Sequence, residues 1–235
     1  MKMKKCVLAV SLVLAMSFGL TACGNSGTEQ AAALVLGNLD EIYLGRVTED
    51  YLKLIDGTKE ESAQAYLDGR EVEAEYFLNY WGIVESDYGE TYANLDEDFQ
   101  NEVIEMYKEI YSYSKYEVQE AVKQDDDSYS VKVIISPIDI MEQAEDLYLN
   151  DEYEPLNAFW TKYAEYDFST MSDEDYMAYT HEYGRVIVQM MYDLLPNIGY
   201  MDEKSMVLQV ETIDGVMSIN DDDFGIFDSY VISYP

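Results

Sequence analysis

Lys115-Tyr116-Glu117-Val118-Gln119-Glu120-Ala121-Val122-Lys123 and Tyr129-Ser130-Val131-Lys132-Val133-Ile134-Ile135-Ser136, joined by Gln124-Asp125-Asp126-Asp127-Ser128, decide the fold of this 235-residue chain. Apolar residues alternate through both arms, at Tyr116, Val118 and Val122 and then at Tyr129, Val131, Val133 and Ile135. A period of two is that of a strand with one buried face, and the aspartate run between the arms is turn chemistry. The pair reads as a β-hairpin that closes at Pro137. A second hairpin is expected from Met206, Leu208 and Val210, an Asp214-Gly215 type I′ turn, and Met217 and Ile219.

Away from the hairpins the apolar period lengthens to that of a helix. Leu36, Leu39, Ile42 and Tyr43 recur at helical spacing and stop at Gly45; Thr48 then caps a short segment carrying Tyr51, Leu52 and Ile55. Thr58-Lys59-Glu60-Glu61 has the capping-box pattern and opens a helix with Ala74, Phe77, Leu78, Trp81 and Val84 on one stripe. Another helix starts near Asp96, with Phe99, Val103, Met106, Tyr107, Ile110 and Tyr111 on one face. Residues 139–168 read as helical with an interruption around Pro155, packing through Leu147, Leu156, Phe159, Trp160 and Tyr163. Ser172 opens a further helix whose stripe is Tyr183, Val186, Ile187, Met190 and Leu194, stopped by Pro196. Residues 224–232 read as an irregular or strand-like tail. The expectation is an α+β protein: an antiparallel sheet of about four strands in two hairpins, buried on one face by helices.

The N-terminus carries address information. Lys2, Lys4 and Lys5 precede an apolar run from Val7 to Leu20, too short to span a bilayer as a helix, for which ~20 residues are needed. The run ends in Leu20-Thr21-Ala22-Cys23, which resembles a bacterial lipobox, in which the Cys thiol becomes a thioether to diacylglycerol. Residues 1–22 are read as a lipoprotein signal peptide, Cys23 as the lipid attachment site, 23–29 as a lipidated polar tether, and 30–235 as one α+β domain or two closely fused halves. Cleavage before Cys23 also removes Cys6 and leaves no free thiol, so cysteine nucleophiles and thiolate metal sites are excluded. The expected location is the extracytoplasmic face of the cell membrane, with two acyl chains giving stable retention.

Charge narrows the partners. Against 14 Lys and Arg stand 48 Asp and Glu, a formal net charge of −34. A nucleic-acid partner is excluded, because phosphate neutralisation needs a basic face this chain cannot assemble.

Five strings, Leu39-Asp40-Glu41-Ile42-Tyr43-Leu44-Gly45, Lys115-Tyr116-Glu117-Val118, Ser136-Pro137-Ile138-Asp139-Ile140, Asp214-Gly215 and Asp228-Ser229-Tyr230-Val231-Ile232, taken with the lipobox, resemble a family of lipobox-bearing lipoproteins of unknown function from Gram-positive bacteria. The resemblance implies a cystatin-like or nuclear-transport-factor-like α+β fold over most of the mature chain. It carries over no catalytic residue.

Chemistry-bearing residues are sparse. His181 is the one histidine, and no Gly-x-Ser-x-Gly elbow accompanies it, so it reads as a half-exposed helix residue. The runs Asp125-Asp126-Asp127 and Asp221-Asp222-Asp223 lack the spacing of a calcium loop and read as turn or helix-opening residues. No catalytic, cofactor-binding or metal site is assigned, and no cofactor is expected. Tyrosine is the unusual feature, at 23 residues, clustered at Tyr107-Tyr111-Tyr113-Tyr116, Tyr163-Tyr166 and Tyr176-Tyr179-Tyr183. Such rings either line a cleft or form the edge of the core with their hydroxyls in water. The functional expectation is a non-catalytic module that binds a small or peptide-like ligand or an envelope protein. The rivals are a hydrolase using an acid pair and a purely structural role. An apolar, Tyr-lined hollow on the sheet's concave face marks the first, and two buried carboxylates of unlike pKa mark the second.

Overall fold

A computed structural model of the chain describes residues 27–84, 95–213 and 216–235. The signal segment, Cys23 and the Asp214-Gly215 turn lie outside them. The described residues form eight α-helices and one four-stranded antiparallel sheet, the α+β class expected. They divide into two compact units, and the division falls within one helix, between Gly69 and Arg70.

The first unit holds α1 (Gly27–Leu44), α2 (Glu49–Leu54), the sheet, and α8 (Asp221–Asp228). Strands β1 (Lys115–Lys123), β2 (Tyr129–Ser136), β3 (Lys204–Ile213) and β4 (Val216–Ile219) run in the order β1-β2-β3-β4, each pairing with the next. Tyr129, Val131, Val133 and Ile135 are all buried, as alternation requires, with Leu208 and Val210 beside them on β3. Helix α1 packs on the sheet and buries Val35, Leu39 and Tyr43 completely. Thr48 caps α2 through a hydrogen bond accepted from the Tyr51 amide at 3.1 Å.

Three local expectations for this unit are corrected. Val122 is 60% exposed rather than buried, because a bulge between Val118 and Ala121 shifts the register by one residue and turns Ala121 to the inner face. Gly27, Thr28 and Glu29, read as the end of the tether, already form the first turn of α1. A Cβ on Gly27 would lie 2.0 Å from the Tyr129 hydroxyl, so that turn is seated on the sheet and a larger residue would have to displace the Tyr129 side chain. Residues 224–228, read as part of an irregular or strand-like tail, belong to α8, which Asp221-Asp222-Asp223 open. The Asn220 side chain accepts the Asp223 amide, and three aspartates occupy the first turn, where the helix dipole favours them.

The second unit holds α4 (Glu97–Tyr111), α5 (Ile140–Leu149), α6 (Glu154–Tyr163) and α7 (Asp173–Leu194); α3 (Lys59–Tyr80) enters it at Arg70. Helices α4, α5 and α6 each pack on α7. Asp96 caps α4 and Ser172 caps α7 through their side chains, and the full predicted stripe of α4, from Phe99 to Tyr111, is buried. A Cβ on Gly184 of α7 would meet the Phe99 ring at 2.8 Å and Ile83 at 3.1 Å, so a bare backbone is what allows this approach. Trp160, expected to pack, is 37% exposed. Thr58 and Glu61, at the start of α3 in the first unit, form the reciprocal capping box, Thr58 N donating to Glu61 Oε2 at 2.9 Å and Glu61 N to Thr58 Oγ1 at 3.2 Å.

Candidate functional site

Trp81 and Val84 were expected on the α3 stripe, but the helix ends at Tyr80. Gly82 takes φ +65°, its amide donates to Asn79 O at 3.1 Å, and the Ile83 amide reaches back to Leu78 O at 2.8 Å. This is a Schellman stop, and it fixes where Trp81 projects. Glycine at that position is the sequence signal for the stop. On α5, Glu145, Tyr148 and Leu149 stand three and four residues apart and therefore share a face. Tyr183 comes from α7, one residue before Gly184, where α7 presses on Phe99.

Tyr80, Trp81, Glu145, Tyr148, Leu149 and Tyr183 line, with Pro235, a shallow hollow of about 380 Å³. The Tyr80 and Trp81 rings meet edge to face at 5.5 Å, and Tyr148 is tilted against Trp81 at 5.4 Å. The Tyr80 hydroxyl donates to Glu145 Oε1 at 3.3 Å. Burial first, then Glu145, then Tyr76 and Glu142, push the Tyr80 phenol up to about 12. Trp81 is 7% exposed, and its buried indole N–H has no acceptor in the described structure. Behind Tyr80 the wall continues inward: Tyr80 and Tyr76 pack edge to face on Tyr234, whose hydroxyl lies 2.5 Å from that of Tyr107. Arg70, 2% exposed, holds its guanidinium 3.8 Å above the Tyr111 ring, and the Tyr111 hydroxyl donates to Glu73. Burial drives the Tyr107 and Tyr234 phenols well above their usual value. The hollow thus has walls braced by a buried aromatic and polar cluster.

The hollow does not lie on the sheet, where it was expected. The inner face of the sheet is filled by α1, and the aromatic lining comes from helices of the second unit. Two of the tyrosine clusters resolve into different roles. Tyr107 and Tyr111 are buried in the second unit, whereas Tyr116 belongs to β1 in the first and donates to Asp40 at 2.6 Å. Tyr163, Tyr166, Tyr179 and Tyr183 stack with Phe159, Trp160 and Phe168 along α6 and α7.

Seven of the hydroxyls donate to carboxylates rather than to water alone. Tyr43 donates to Asp228, Tyr51 to Glu41, Tyr80 to Glu145, Tyr111 to Glu73, Tyr116 to Asp40, Tyr153 to Asp193 and Tyr163 to Glu182. With 48 acids and 14 bases, most carboxylates cannot find a cation, and the phenol is the donor that replaces it.

His181 is half-buried on α7, with Nδ1 3.6 Å from Asp96 Oδ2 and the buried Nε2 without a partner among the described residues; Asp96 also lies 3.7 Å from Arg185. Of the first aspartate run, Asp126 accepts both the amide and the hydroxyl of Ser128, which lower its pKa, and Asp127 pairs with Lys123 at 2.6 Å. Of the second, Asp223 accepts the Gln209 amide at 2.9 Å. Among the described residues no group of three His, Cys, Asp or Glu side chains is placed to hold a metal ion. No helix among them is long and apolar enough to cross a membrane.

Fold and site together define a helix-rich α+β protein with an aromatic hollow edged by one carboxylate. No family model matches the sequence, and no curated protein does. Among solved structures the chain is similar to a crystal structure from Bacillus subtilis subsp. subtilis str. 168, that of a protein named as a candidate lipoprotein (ycdA). The TM-score is 0.53 at 16% identity, over 87% of this chain and 56% of that one. The chain spans little more than half the length of the protein it matches, and the likeness is one of fold.

Proposed function

We propose that the protein is a lipid-anchored, extracytoplasmic binding module that takes a small ligand in the hollow of its second unit. The observation that carries this reading is the hollow itself, in which the Trp81 ring packs against both Tyr80 and Tyr148 and Tyr183 completes the aromatic lining. Aromatic walls carrying a few placed polar groups are the usual lining of small-molecule sites, whose volumes run ~300–1,000 Å³. Anchoring through Cys23 is supported by the lipobox and by the name of the structural neighbour. The helix laid on a four-stranded antiparallel meander in the first unit supports the finer likeness to cystatin-type or nuclear-transport-factor-type folds. The rival, a hydrolase with an acid pair, needs two carboxylates in the cleft, and Glu145 is the one that lines it.

Three measurements test the proposal. Intact mass of the mature protein should show an acylated Cys23 as the first residue, and Cys23→Ala should release the protein from the membrane. Broad glycosidase, esterase and peptidase panels should show no turnover. Hydrolysis lost in a single Asp→Asn or Glu→Gln variant would replace the binding reading with the enzyme.

A further inference from the structure

We infer that the hollow of the second unit takes a free, soluble quaternary ammonium compound, its cationic head held against the Tyr80, Trp81 and Tyr148 rings with Glu145 as counter-ion. The inference rests on the binding reading above and names the ligand class. Three features point to a cation. The Trp81 ring stands at 83° to Tyr80 and at 56° to Tyr148, so the lining can present more than one π-face to a single bound group. Among the described residues the only charged side chain in the lining is Glu145, and no Lys or Arg lines it. Glu142 also acts on the Tyr80 hydroxyl electrostatically, so a second carboxylate adds to the negative potential there.

The donor count then selects the kind of cation. A primary ammonium or a guanidinium brings three to five N–H donors that each need an acceptor when desolvated. The lining offers one carboxylate and the Tyr80 hydroxyl, bonded to each other, the Tyr148 and Tyr183 hydroxyls, which also bond each other, and otherwise rings, Leu149 and Pro235. A quaternary ammonium has no N–H to satisfy and is weakly hydrated, so rings and one anion suffice. The phosphate of a lipid headgroup would be repelled by Glu145 and by the net charge of −34, which favours the free compound over phosphocholine.

The test uses the mature acylated protein in a non-ionic detergent, carrying Trp160→Phe so that Trp81 is the one tryptophan, excited where tyrosine does not absorb. Choline and tetramethylammonium should change Trp81 emission saturably, with about tenfold weaker binding for the neutral tert-butyl isostere of choline and for phosphocholine. Glu145→Gln and Tyr148→Leu should each weaken choline binding about tenfold, while Glu152→Gln, at an exposed residue outside the hollow, should not. Equal binding of choline and its neutral isostere, tighter binding of phosphocholine, or a choline response unchanged in Glu145→Gln would overturn the inference and leave the binding site intact. A sugar that saturates the Trp81 signal where choline does not would do the same. If no probe, cationic, neutral or sugar, perturbs Trp81, both the inference and the hollow as a site are contradicted.

Discussion

At the scale of single residues the chain solves one electrostatic problem repeatedly. A buried carboxylate without a donor is costly, and bases are scarce here, so phenols supply the hydrogen bond. Glu41 shows the arrangement most clearly: it is 8% exposed and accepts the Tyr51 hydroxyl at 2.6 Å. Tyr51→Phe keeps the ring and removes that donor, so it should destabilise the fold by about 1–3 kcal/mol, read as a drop in the denaturant midpoint. Tyr153→Phe, whose partner Asp193 is exposed, should cost under about 1 kcal/mol. Equal losses in the two variants would show that burial of the carboxylate is not what matters. The same bonds set the response to alkali. Burial first, and then the partner carboxylates, raise the Tyr51, Tyr116 and Tyr153 phenols above their ordinary 10.0. The unfolded chain therefore releases these protons first as pH rises. Their contribution is fully present below about pH 10 and is lost as pH climbs toward the folded values. The tyrosinate absorbance that Tyr51→Phe removes should develop only together with unfolding above pH 10. Titration of Tyr51 at the ordinary value with the fold intact would contradict the pairing.

At the scale of elements, glycines report how closely helices approach. A Cβ on Gly37 of α1 would fall 2.1 Å from Tyr51 Cδ2, whereas a Cβ on Gly69 of α3 would meet nothing within 4 Å. Gly69→Ala should stabilise by about 0.5–1 kcal/mol through helix propensity alone. Gly37→Ala gains the same propensity but must displace a buried ring, a cost of about 1–3 kcal/mol, so it should destabilise. Thermal unfolding of the two variants decides it, and a shift of the same sign in both would refute the packing of α1 on α2. This is also where the limits of reading the sequence fall. The hairpin 115–136 and the stripe of α4 were legible because their periods and caps are local. The exposure of Val122 was not, because one bulge residue reverses the faces of a strand while leaving the composition unchanged. The end of α3 at Gly82 was signalled, but the apolar run of Trp81 and Val84 outweighed it. The role of α8 was hidden because helix-capping by Asn220 and the coil preference of three aspartates look alike in sequence.

At the scale of the whole molecule, charge and the hollow dominate. Removing residues 1–22 deletes Lys2, Lys4 and Lys5 and no acid, so 14 − 3 = 11 bases face 48 acids and the net charge becomes −37. Self-repulsion of that size should weaken the fold at low ionic strength, so the melting temperature should rise as sodium chloride increases over the range where the Debye length shrinks from ~30 Å to ~10 Å. A fall with salt would mean that attractive ion pairs such as Arg185 with Glu102 outweigh the repulsion. The hollow itself was only half legible. The tyrosine excess announced aromatic surface, but Glu145, Tyr148 and Trp81 lie on segments far apart in sequence, and no local pattern says that they converge. That convergence is the central claim, and the indole N–H resonance of Trp81 tests it most directly. Compounds that raise the melting temperature should move that resonance saturably, and both effects should vanish together in Tyr148→Ala. A stabilising ligand that leaves the Trp81 resonance where it was, or that binds Tyr148→Ala unchanged, would contradict it.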